Sequence, residues 1–281
     1  MESCFVATSG GFEPTEFAVG PWSPDTLQGS AYGGLLVRAL EHDGGAPDMM
    51  LARLSFDLWR PVTRERLTAS VTVLRDGRKA RTVEAALAQA GKPVARCTAV
   101  FLKTDATATP PGALISPPVL GPEAGQAVPP HVRSWSPFFT GVETRVVAGD
   151  LLKPGPASAW FDFRRPLIDG EKNSPSVHAV SAADLASGIS AVVDLRAWTF
   201  INADLTVVFW RAPEAPWILL EAETFVGDGG TGVAQGRLSD RRGAFGACAQ
   251  TLLFDRRGGP RNGPPHPPTL GSTPAEPGRS S

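Results

Sequence analysis

One carboxylate in this chain sits where a carboxylate is costly. In 181-SAADLASGIS-190 almost every side chain is small, and Asp184 stands among alanines in what reads as the start of a buried helix. Burial disfavours an ionised carboxyl unless a cap, a partner or a reaction accounts for it. A capping box with Ser181 is one explanation, because S-x-x-D ahead of an apolar run is an ordinary helix start. Two amides raise related questions. Gln250 lies between Ala249 and Thr251 in an otherwise apolar strand, where an unpaired amide costs stability, and Asp184 is a natural partner for it. Asn202, in FINADL, fits a strand start with an Asx-type turn.

Other chemistries find little support. The four histidines, His42, His131, His178 and His266, are isolated and show no metal-ligand spacing, so no metal is expected. The stretch 227-GDGGTG-232 lacks the GK[ST] of a phosphate loop and suits a tight hairpin turn instead. No GxSxG elbow is present, which argues against a serine hydrolase of the α/β type. Cys4, Cys97 and Cys248 are an odd, scattered set without CxxC spacing, which points to a reducing, cytoplasmic setting. With 27 basic against 28 acidic residues, neither a nucleic-acid partner nor a membrane surface is expected. No window approaches 18 uninterrupted apolar residues, and no signal peptide is recognisable.

The elements that must hold these side chains come in two copies. Pro-rich stretches at 104–131 and 255–281 read as a linker and a disordered tail, since proline removes ladder donors and fixes φ. They leave units at 1–103 and 132–254. Setting LWRP against FWRAP pairs Arg60 with Arg211, an offset of 151 residues, and Cys97 pairs with Cys248 at the same 151. Between the anchors each half alternates apolar and polar residues in three runs with intervening turns: LTASVTVLRDGR, ARTVEAALAQAGK and PVARCTAVFL, then WILLEAETFVGDGG, GVAQGRLSDRRG and FGACAQTLLF. Each is an antiparallel meander. Ahead of each lies an apolar helix candidate, 30–43 and 175–194, buried nearly all round. A sheet wrapped around a helix, twice, with the two sheets joined edge to edge, is the expected architecture.

That duplicated arrangement resembles the TesB-like acyl-CoA thioesterases. The likeness is carried by 20-GPWSPDTLQGSAYGGLLVRALE-41, SFDLWRPV, 184-DLASG-188, 202-NADLTVVFWRAPEAPW-217 and 249-AQTLLF-254, and spans roughly residues 5 to 255. It implies an α+β double hotdog: two antiparallel sheets, each around a central helix, merged into one long sheet. It also implies hydrolysis of an acyl-CoA or acyl-carrier thioester by a water held by three side chains, which fall here on Asp184, Asn202 and Gln250. Asn202 stands where the better-known enzymes carry Thr. No cofactor is implied, and association beyond the monomer is expected.

The offset separates the copies, because it carries Asp184, Asn202 and Gln250 onto Gly33, Leu51 and Ala99. A fold needs none of the three polar groups, so chemistry is expected in the second copy. Two other functions stay open at this point: a dehydratase, cyclase or acyl-transfer enzyme on the same frame, and an acyl-binding protein without turnover.

Overall fold

Small residues set the centre of the molecule. The structure, a computed structural model, describes residues 2–46, 48–110, 116–195 and 197–257. Helix α1 (Gly29–Ala39) buries Ser30, Ala31, Gly33, Gly34, Leu35, Leu36, Val37 and Ala39, and continues as a wider turn over Leu40–Gly44. Helix α2 (Pro130–Arg133) is a single turn after the Pro-rich segment. Helix α3 (Pro175–Ala183) starts with Pro175 just inside its cap, Ser174, whose Oγ accepts from the Val177 N–H. α1 and α3 approach closely because they meet at glycine: a Cβ on Gly34 would touch Leu167 and Val177 at 3.4 Å.

Strands β1 (Phe5–Thr8) and β2 (Gly11–Pro14) form a separate hairpin. The first half then supplies β3 (Met49–Leu58), β4 (Thr68–Asp76), β5 (Ala80–Gln89) and β6 (Lys92–Lys103). The second supplies β7 (Gln126–Ala127), β8 (Val142–Ala148), β9 (Ala157–Phe163), β10 (Trp198–Asn202), β11 (Asp204–Phe209), β12 (Trp217–Val226), β13 (Thr231–Asp240) and β14 (Gly243–Arg256). They make one 12-stranded antiparallel sheet in the order β4-β5-β6-β3-β11-β14-β13-β12-β9-β8-β7, with β10 also on β14. Both expected meanders are present, and the halves join through β3 and β11.

The duplication is exact enough to locate its axis. Ser55 lies opposite Thr206 across the β3–β11 junction, and these two are repeat mates. Ser30 and Ser181, also 151 apart, exchange hydrogen bonds between the helices: each hydroxyl donates to the other's carbonyl, at 3.0 and 3.3 Å. A pseudo-two-fold axis therefore runs through both pairs. Inward-facing residues fill the space between sheet and helices, among them Leu54, Phe56, Leu87 and Ala99 from one half and Ile218, Leu238, Phe245 and Leu252 from the other. Each large one contributes about 1.5–3 kcal/mol of burial.

Two expectations need correction. Residues 175–194 are not one helix, for α3 ends at Ala183 and a second short helix, α4 (Ala186–Ile189), follows a break. The tryptophans Trp59 and Trp210, repeat mates at the same offset of 151, lie at the surface, 48% and 56% exposed. Arg96 lies over the ring of Trp59, and the indole of Trp210 donates to the Ala244 carbonyl. β14 runs two residues into the segment assigned to the tail, whose remainder from 258 lies outside the described residues.

Candidate active site

The break between α3 and α4 has a side chain in it. In a continuous helix the Ser187 N–H would bond the Ala183 carbonyl, and the Asp184 carbonyl would accept from Gly188. Instead Gln250 takes one group from each of these bonds. Its Oε1 accepts from the Ser187 N–H at 2.9 Å, and its Nε2 donates to the Asp184 carbonyl at 3.1 Å. Insertion of a side chain into the i→i−4 ladder is a recognised cause of a kink. Gln250 can do this because it faces inward from β14 in the alternating set Cys248, Gln250, Leu252, Phe254, and it is fully buried.

The break places Asp184 at the C-terminal cap of α3 rather than at a helix start. Ser181 lies inside α3, so the capping-box explanation is wrong: the apolar run begins at Pro175, and Ser174 caps it. The Asp184 carboxylate turns toward the first half. Its Oδ2 accepts from Gln28 Nε2 and Ser30 Oγ, each at 2.9 Å, the single Ser30 hydroxyl proton being shared with the Ser181 carbonyl. A Cβ on the intervening Gly29 would fall 2.4 Å from Asp184 Oδ1, so glycine is what lets the backbone of α1 come this close. Burial raises the Asp184 pKa above the ordinary carboxylate value, and the bonds from Ser30 and Gln28 only partly offset that. The expected Asp184–Gln250 contact exists, but to the backbone carbonyl and not the carboxylate.

Asn202 ends β10, on the same inward face, opposite Leu252 and diagonal to Gln250. Its Oδ1 accepts from the Ser187 hydroxyl at 3.2 Å. Asp184, Asn202 and Gln250 thus converge on one four-residue turn, 184–187, two of them joined through Ser187. Sequence reasoning missed Gln28, Ser30 and Ser187. The first two lie in the 20–41 stretch, but the repeat offset sends Asp184 to Gly33, whereas the contact crosses the pseudo-two-fold axis between copies. Ser187 was in plain view within DLASG, but nothing in its spacing marks a hydroxyl that links two amides.

Nearby groups are unsuited to nucleophilic or metal roles. Burial, with Asp184 adding, pushes the Cys248 thiol up to about 12, so it stays protonated at neutral pH. Burial and the Asp184 charge likewise push the Tyr32 phenol up. His178 packs against Phe163 with its pKa lowered by burial. Among the described residues no three His, Cys, Asp or Glu side chains converge on a metal position, and no helix is long and apolar enough to cross a membrane.

Comparison with known proteins bears on the family and the fold. The family model described as the acyl-CoA thioesterase N-terminal domain matches residues 18–102, and that of the acyl-CoA thioesterase C-terminal domain matches residues 122–254. No curated protein sequence matches the chain. Among solved structures, one described as a candidate thioesterase II from Thermobifida fusca YX is 19% identical with a TM-score of 0.69, covering 90% of this chain and 95% of that one. A conserved protein with a hot dog fold from Alicyclobacillus acidocaldarius is 14% identical with a TM-score of 0.69, covering 87% and 92%. The acyl-CoA thioesterase II TesB2 from Mycobacterium marinum is 20% identical with a TM-score of 0.61, covering 84% and 93%. At these identities the likeness is one of fold, and the fold is the double hotdog.

Proposed function

The chain belongs to the acyl-CoA thioesterase family, and from that premise we propose that it hydrolyses an acyl thioester with Asp184 as general base and Gln250 and Asn202 as orienting amides. The observation that carries the reading is the Asp184 carboxylate itself: buried, raised in pKa, and held by Gln28 and Ser30 at a helix break into which Gln250 inserts. Packing alone gives no reason to keep an acid there, since the equivalent place in the first copy is Gly33.

In the proposed reaction Asp184 removes a proton from water as the water oxygen bonds to the thioester carbonyl carbon. Gln250 and Asn202 orient that water, and the carbonyl electrons move onto oxygen, where oriented hydrogen-bond donors would lower the cost of the charge. Collapse of this intermediate breaks the C–S bond, and the leaving thiolate takes from Asp184 the proton that came from water. A positioned base is worth roughly 10²- to 10⁴-fold, and an oxyanion donor about 10²- to 10³-fold. The substrate handle is coenzyme A or a carrier pantetheine; neither is a cofactor.

The test is release of free thiol from a panel of short, medium, long-chain and aromatic acyl-CoAs. Saturable hydrolysis of at least one of them, well above the spontaneous rate, is the expected result. Saturable binding of the panel without thiol release would favour an acyl-binding protein instead.

A further inference from the structure

The carboxylate proposed as the base is gripped from the other copy. Gln28 stands at the N-terminal cap of α1, yet its side chain makes no capping bond. Its backbone anchors the helix start instead: the N–H donates to the Ala18 carbonyl, and the carbonyl accepts from the Ala31 and Tyr32 N–H groups. The side chain is buried, and its Nε2 donates to Asp184 Oδ2 at 2.9 Å. An ionised carboxylate only accepts, so the carboxamide must face it with the NH₂ group, which leaves Oε1 at the opposite end. That oxygen lies beside Gly20, where a Cβ would fall 2.8 Å from it, and it finds no donor among the described residues. A side chain kept for packing has no use for a buried unpaired acceptor, which costs stability. Resting on the hydrolytic reading above, we infer that Gln28 is a positioning residue for the base, which reaches across the pseudo-two-fold axis to hold the Asp184 carboxylate by Oδ2 and favour its charged form. The active site is then composite, with the base from the second copy and its grip from the first.

The duplication separates this contact from the framework around it. Ser30 and Ser181 are repeat mates that exchange hydrogen bonds, so that pair belongs to the helix packing of both copies. The Gln28–Asp184 contact has no such mate. At the offset of 151 Gln28 falls on Ala179 and Asp184 on Gly33, so the two-fold-related place has no polar side chain from either copy. Amide and carboxylate enter together. The titratable groups that sense the Asp184 charge, Tyr32 on α1 and Cys248 on β14, are both pushed up by burial and stay neutral at and below neutral pH, so neither supplies a compensating charge. Hydrogen bonds must favour the carboxylate instead.

The test is the pH dependence of kcat/KM on an acyl-CoA for the parent, Gln28→Met, Asp184→Asn and the double variant, with Tm recorded for each. Methionine keeps the length and loses the donor. Without that donor the charged form of Asp184 is less favoured, so the acid limb should move to higher pH: activity on the limb falls about tenfold or more, as for one hydrogen bond to a charged group, while the plateau above it falls less than about threefold. In the Asp184→Asn background Gln28→Met should change the residual rate by less than about twofold, because the carboxylate it serves is gone. Gln28→Asn, one methylene too short to reach Oδ2, should move the limb in the same direction and decides the matter where Gln28→Met does not fold. A limb that stays in place, a loss equal at every pH, or a loss equal in both backgrounds would make Gln28 a packing residue and overturn the inference. If Asp184→Asn is inactive in that case, the hydrolytic reading still stands. A parent that hydrolyses no acyl-CoA would overturn both.

Discussion

Asp184→Asn is expected to lower thioester turnover by about two orders of magnitude or more while melting no lower than the parent at pH 7. The activity loss follows from chemistry: the amide keeps the shape but cannot accept the proton. The stability result follows from linkage. Burial raises the pKa of Asp184 in the folded protein, so the fold binds this proton more tightly than the unfolded chain does. Stability present below the unfolded pKa is lost as pH rises through the folded value, and at neutral pH the ionised group is a net cost. Asparagine removes that cost. It also asks little of its neighbours, since Gln28 Oε1, now buried without a partner, can turn to accept from the new amide. A variant that loses activity and also melts far below the parent would instead mark Asp184 as a structural acceptor for Gln28 and Ser30. Kinetics on an acyl-CoA substrate together with thermal melts decide the matter.

Gln250→Leu is the second large effect, and here activity and stability should fall together. The volume is nearly kept, but the Ser187 N–H and the Asp184 carbonyl lose their partners at a fully buried position. Each unpaired buried group costs about 1–3 kcal/mol, so a loss of roughly 2–6 kcal/mol is expected in denaturant unfolding. Turnover should drop by about 10²-fold or more, because the turn that aims Asp184 is no longer held and one donor is gone. From sequence, Gln250 reads as a group whose removal leaves the fold intact; its insertion into the helix break is what changes that expectation. A substitution at the counterpart Ala99 should alter packing without a comparable loss of turnover. Equal catalytic losses at the two positions would remove the distinction between the copies.

Much of this was legible because duplication repeats in sequence what it repeats in space. The 151-residue offset fixes β5 on β13 and β6 on β14, and period-2 alternation with DG and AG turns marks the meanders. Strands β8 and β9 are not among the expected elements because VETRVVA and ASAWFDF lie outside the two anchors that the offset aligns, although GDLLKPGP between them carries Gly and Pro turn residues. The helix break was also hidden. The one poor helix former in SAADLASGIS, Gly188, lies inside α4 and not at the break, and the side chain that interrupts the helix comes from Gln250, 63 residues beyond Ser187. Asp184 announced itself through the cost of its burial, but its partners Gln28 and Ser30 belong to the other copy and are reached only across the pseudo-two-fold axis.

The most direct test of Asp184 as the base is the pH dependence of kcat/KM for acyl-CoA hydrolysis by the parent protein. A base must be ionised to act, so activity should fall on the acid side as pH drops through the pKa of Asp184. With that pKa raised by burial, the account predicts an acid limb above the ordinary carboxylate value of about 3.9, absent from the residual activity of Asp184→Asn. A rate that stays level down to about pH 4 while the protein remains folded, or an identical limb in Asp184→Asn, would contradict it.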